Sequence, residues 1–162
     1  MVQKYYAHSL TGGYLGSWDG SEPDDENAVE VPEARPDIGF VWDFALGHWY
    51  ESYESKLAKA NLEHLRLTKE ANAQVAALTG IVNTLDYAIN GQDSDSEEYI
   101  EPTDAEITEL PIRQKQLKAW NSYSLKLSRM PTQVTWPHDP VWPVVPETYS
   151  DEMSSAPAAP EL

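Results

Sequence analysis

Cysteine is absent from the 162 residues, which removes disulfide staples, thiolate zinc sites, iron–sulfur clusters and cysteine nucleophiles together. Basic residues are scarce: 11 lysines and arginines stand against 27 aspartates and glutamates, a formal net charge of −16. Nucleic acid and anionic membrane surfaces are bound through clustered Lys and Arg, so this balance argues against both as partners. No run of eighteen apolar residues occurs, and the first twenty residues lack a basic stretch leading into an apolar one. The sequence therefore predicts no membrane insertion and no secretory leader, hence a soluble cytoplasmic chain. Its length suits about one ordinary domain and excludes two large independent ones.

The acids that are present sit mostly in two stretches. Asp19 to Asp37 holds eight against Arg35 alone, and Asp93 to Glu109 holds eight with no base. Pro111 to Met130 is the reverse, with five bases and no acid. Acidic runs among Pro and Ser are solvated loops in the ordinary case. Asp93, Asp95 and Glu97 alternate as calcium ligands do, but Glu98 stands where such a loop needs glycine, and Asp104 where it needs a bidentate glutamate.

Residues 1–50 read as a small antiparallel β module. Lys4 to His8, Tyr14 to Trp18, Ala28 to Val31, Gly39 to Asp43 and His48 to Tyr50 are β-prone runs separated by glycine-bearing turns. Over 51–91 the period becomes helical. Tyr53, Leu57, Ala60, His64, Leu67, Ala71, Val75, Leu78, Val82, Leu85 and Ile89 recur at steps of three and four. That is a coiled-coil-like heptad seam with one stutter at Leu67-Ala71-Val75. Gly80 lies off the seam, and Asn90-Gly91 is a stop signal.

An acidic loop follows at 92–102. Thr103-Asp104-Ala105-Glu106 then has capping-box spacing and restarts a helix, so 103–130 reads as a second, shorter helical segment, broken or kinked at Pro111. Its apolar face is Leu117, Trp120, Tyr123, Leu127 and Met130. The Trp- and Pro-rich 131–149 favours extended backbone, and the small, acidic 150–162 reads as a disordered tail. The fold class is thus α+β. A helix of about 55 Å cannot be covered by one of about 28 Å, so the seam predicts cover from another chain, a second copy or a different protein. Leu57, Leu67, Val75, Leu78, Val82, Leu85, Ile89, Trp120, Tyr123 and Leu127 are the candidates for helix packing or self-association.

No enzyme signature emerges. No two of His8, His48, His64 and His138 share a helical face at ligand spacing. His64, in the seam, reads as a tolerated polar position that sets register. Gly12, Gly13 and Gly16 lie in a hairpin, not between strand and helix, and so form a turn and not a phosphate cradle. Asp19, Asp24 and Asp43 near the aromatics could imitate a glycosidase pair, but solvated turn aspartates are the plainer reading. The tryptophans could stack on sugar rings, although in a small sheet they more often form core. No cofactor or metal is expected.

Ala76-Ala77-Leu78 to Leu85-Asp86-Tyr87-Ala88-Ile89 comes first in the helical half. Thr103-Asp104-Ala105-Glu106, Leu117-Lys118-Ala119-Trp120-Asn121-Ser122-Tyr123 and the pairs Trp136-Pro137 and Trp142-Pro143 follow in that order. That order resembles the tail fibre assembly proteins of tailed bacteriophages, chaperones encoded beside the fibres they mature, and their relatives that accompany R-type pyocins. Tyr5-Tyr6, Gly13-Tyr14, Trp42-Asp43 and His48-Trp49 are similar to the family's opening β segment. The acidic insert, Pro111 and the long first helix depart from the family pattern.

The resemblance implies a chaperone that binds the distal, C-terminal region of a trimeric tail fibre in the bacterial cytoplasm and assists its folding and trimerisation. Whether it then stays on the fibre tip is left open. The fibre contact is assigned to Tyr6, Tyr14, Trp18, Trp42 and Trp49, with homo-oligomerisation through the long helix as a further expectation. A carbohydrate-binding tip protein is the alternative function, and a hydrolase ranks last.

Overall fold

In a computed structural model, which describes residues 2–20 and 22–150, the chain is α+β, with five antiparallel strands and two long helices. The tail expected to be disordered lies, from residue 151 on, outside the described residues. Two compact units are formed: Met1–Leu62 with Thr135–Pro140, and Glu63–Val134 with Val141–Leu162. Among the described residues no helix is long and apolar enough to cross a membrane.

The first unit contains strands β1 (Lys4–His8), β2 (Tyr14–Trp18), β3 (Ala28–Val31), β4 (Phe40–Asp43) and β5 (His48–Glu51). They make not one sheet but two, a three-stranded sheet ordered β2-β1-β3 and the hairpin β4-β5. Tyr5 faces Val31 and Ala7 faces Val29 across β1 and β3, so one face of β1 is apolar. That face closes on the hairpin, and Ala7, Val31, Trp42 and Trp49 form the core, with Tyr5, Tyr14 and Phe40 packed around it. The Trp42 amide donates to the Gly12 carbonyl at 2.8 Å, which fastens the β1–β2 turn to β4.

Helix α1 (Tyr53–Asp86) starts at Ser52, whose hydroxyl accepts from the Ser55 amide at 3.2 Å. Glu51 bonds both the Ser55 hydroxyl and Lys59 (2.7 Å), and these hold its carboxylate below the usual range. The helix runs unbroken through Gly80, where an added Cβ meets nothing within 4 Å. Gly80→Ala is therefore expected to stabilise the chain by about 1 kcal/mol, read as a raised midpoint in urea.

Helix α2 (Asp104–Ser128) opens on the full capping box: the Glu106 amide donates to the Thr103 hydroxyl at 3.3 Å, and the Thr103 amide to the Glu106 carboxylate at 2.7 Å. Of the break or kink expected at Pro111 the break does not occur, for α2 continues through it. Proline there costs one backbone bond, to the Ile107 carbonyl, while burial of Leu110, Trp120, Tyr123 and Leu127 on the same helix recovers about 1.5–3 kcal/mol per side chain.

Helix α1, about 51 Å, remains longer than α2, but it is divided between the two units, so the lengths to compare in the second unit are different ones. The part of α1 in the second unit, Glu63 to Asp86, is about 36 Å long and α2 about 37 Å. Leu67, Ala71, Leu78 and Leu85 are buried, and His64, Val75, Val82 and Ile89 half-buried. The seam of this unit is covered within one chain, which removes the reason for expecting self-association through it. In the first unit Ala60 is buried and Leu57 half-buried, and the Tyr53 ring meets that of His138 at 5.7 Å.

Candidate functional site

The aromatic residues assigned to a partner are divided by the β topology. Trp42 and Trp49 pack edge to face at 5.3 Å and are 6% and 7% exposed, and the Trp49 indole donates to the Glu33 carbonyl at 3.1 Å. Tyr6 projects from the opposite face of β1, closed under Trp18 at 5.5 Å, and is 4% exposed. These three rings are core, so they are corrected as contact residues: no partner reaches them without unfolding the sheet. Tyr14 and Trp18 are half-buried, Tyr14 between Trp49 and the Arg35 guanidinium. Sugar stacking loses the same three rings. Among the large apolar side chains that the unit exposes are Leu10 in the β1–β2 turn, Ile38 before β4, and Phe44 and Leu46 in the β4–β5 turn.

Asp43 fills a turn role, accepting from the Ala45 and Leu46 amides at 2.8 and 3.0 Å. Asp19 and Asp24 are exposed. Asp93 to Glu101 is an exposed irregular loop in which the Asp93 carboxylate accepts from the Asp95 amide at 3.0 Å. Among the described residues no group of three His, Asp or Glu side chains is placed to hold a metal ion.

In the second unit α1 and α2 run antiparallel. The His64 Nε2–H donates to the Leu127 carbonyl at 2.9 Å near the end of α2, so the seam histidine adds a side-chain donor in the last turn of the helix, where carbonyls lack the usual intrahelical partner. Tyr123 is buried beside Arg66 and Glu70, and burial pushes its hydroxyl pKa up. Further along, Gln74 of α1 and Arg113 of α2 both engage Tyr149.

Sequence reasoning missed the residues that organise this unit. Three glutamines each grip the main chain of one distant residue through both ends of the amide. Gln92 accepts from the Ile100 amide at 2.9 Å and donates to its carbonyl at 2.8 Å. Gln133 does the same to Val141, both at 3.0 Å, and Gln74 to Tyr149 at 2.8 and 3.2 Å. The Gln133 clamp closes a loop in which the Asp139 amide returns to the Thr135 carbonyl at 2.8 Å. The extended backbone expected from residue 131 therefore begins only at Pro140, after a 3-10 turn at Met130–Thr132 and further turns. Between the two outer clamps the Trp120 indole donates to the Glu147 carbonyl at 3.0 Å.

No family model, curated protein or solved structure matches this chain.

Proposed function

We propose that this chain is a tail fibre assembly chaperone, which binds the distal part of a trimeric fibre while it folds and acts by binding alone, without catalysis. The order of motifs carries the reading. The T-D-x-E restart is the capping box of α2, L-x-x-W-x-x-Y supplies the buried Trp120 and Tyr123, and the closing W-P pairs lie in the segment that returns after α2. Binding can assist trimerisation by covering apolar fibre surface and unpaired strand edges until they find their mates. In this reading the heptad seam packs coiled-coil fashion inside one chain, and the fibre contact falls on exposed Leu10, Ile38, Phe44 and Leu46.

Co-expression tests it. With this chain present the neighbouring fibre gene should give soluble trimer, and a Leu10→Asp/Leu46→Asp variant should lower the yield several-fold while keeping its own helical circular dichroism. Soluble trimer at undiminished yield without the chaperone removes the reading.

A further inference from the structure

Helix α2 buries Leu110, Trp120, Tyr123 and Leu127. At about 3.6 residues per turn the opposite face carries Asp104, Ile107, Pro111, Lys115, Lys118 and Arg129, all of them exposed. Exposed Lys126 borders it.

This face changes character along its length. Ile107 and Pro111 make its centre apolar. On the N-terminal side stand Asp104 and, in the exposed loop that leads into the helix, Asp93, Asp95, Glu97, Glu98 and Glu101. On the C-terminal side stand Lys115, Lys118, Lys126 and Arg129, with no acid between Pro111 and Met130. Among the described residues none of these four bases and none of the six acids is in an ion pair. Glu109 and Arg113, off this face, bond each other at 2.8 Å.

Charge that changes sign about an apolar centre is self-complementary under a two-fold rotation. In an isologous dimer one patch meets itself, so every contact is made twice. Turning α2 about an axis at Pro111 lays two copies of the helix antiparallel. Asp104 and Lys118 stand about 10 Å to either side of that axis, so Asp104 of each copy meets Lys118 of the other. Ile107 falls on Lys115, whose aliphatic stem covers it. Lys126 and Arg129, about 25 Å from the axis, fall beside the acidic loop of the other copy. Parallel pairing would set bases on bases.

We propose that the outer face of α2 is a homodimer interface, on which a second copy of this chain docks antiparallel: Ile107 and Pro111 form its apolar centre, and the acids before the helix pair with the bases of its second half. The inference does not rest on the tail fibre reading, and it concerns the face opposite the seam. Exposed ion pairs contribute little each, so the dimer is a reversible one that forms as concentration rises.

Sedimentation of the full chain tests this by charge exchange. The parent chain should pass from monomer to dimer on concentration. One variant, Lys115→Glu/Lys118→Glu/Lys126→Glu/Arg129→Glu, and another, Asp95→Lys/Glu97→Lys/Glu98→Lys/Glu101→Lys, should each self-associate at least about tenfold more weakly, because like charges then meet at both contacts. Mixed together, the two should form a heterodimer, since each contact again joins opposite charges. Asp19→Lys/Asp24→Lys/Glu26→Lys/Glu33→Lys shifts net charge as the loop variant does and should leave the dimer unchanged. If a fourfold variant loses its helical circular dichroism, Lys118→Glu against Asp104→Lys repeats the exchange at a single pair. A parent chain that stays monomeric at millimolar concentration overturns the proposal, as do folded variants that remain apart when mixed, or a control that dissociates equally. Association that continues past the dimer overturns the two-fold arrangement.

Discussion

Trp120→Ala is expected to cost about 3–5 kcal/mol, the range for deleting a large aromatic side chain from a well-packed core. Trp120 is 0% exposed, meets the Tyr123 ring edge to face at 5.5 Å, and gives its indole N–H to the Glu147 carbonyl. Truncation leaves a cavity between the helices, removes the ring pair and takes away the donor of the Glu147 carbonyl. Trp120→Phe separates these effects: it keeps most of the apolar volume and loses the N–H, for about 1–2 kcal/mol. Urea unfolding followed by helical circular dichroism measures both. Single domains are held by about 5–15 kcal/mol, so the alanine variant should unfold at a much lower urea concentration. A shift in Trp120→Ala no larger than that of Trp120→Phe would mean that the ring is not packed between the helices.

The β runs were legible because strand and turn chemistry are local. Lys4 to His8, Tyr14 to Trp18 and Ala28 to Val31 coincide with observed strands, and the two runs of the second hairpin differ by one residue at a boundary. The capping box was legible for the same reason, since Thr103 and Glu106 satisfy each other within one turn. Pro111 does not end α2, because its local cost is outweighed by burial along the rest of the helix, and the open seam was expected because the sequence does not reveal that α1 is divided between two units. The aromatic residues could be counted but not oriented. Whether Tyr6 faces solvent or lies beneath Trp18 depends on the pairing of β1 with β2, including an irregularity between Tyr6 and Ala7. The glutamine clamps had no signature at all. Gln74 and Tyr149 are 75 residues apart, and an amide that will grip a main chain reads like any polar residue on a helix face.

Gly12→Ala is the second large effect, and Gly47→Ala is its control. Both glycines sit in turns with left-handed backbone, φ +67° and +68°, so each alanine incurs a similar conformational cost of about 1–2 kcal/mol. Their surroundings differ. A Cβ on Gly47 meets nothing within 4 Å, whereas one on Gly12 would lie 2.2 Å from the Trp42 carbonyl oxygen. That oxygen belongs to β4 and cannot rotate aside, so the turn must lift away and give up the Trp42 N–H to Gly12 O bond. The lost bond adds about 1 kcal/mol, and parting the turn from the hairpin loosens the packing of Ala7 and Val31 on Trp42 and Trp49. The expected total for Gly12→Ala is about 3 kcal/mol or more. It should be visible as loss of the near-ultraviolet signal of the paired tryptophans, while the helical signal of the second unit, whose core contains none of these residues, survives. Equal effects at Gly12 and Gly47 would show that the β1–β2 turn does not rest on β4, and with it the explanation for why Trp42 and Trp49 are core would fail.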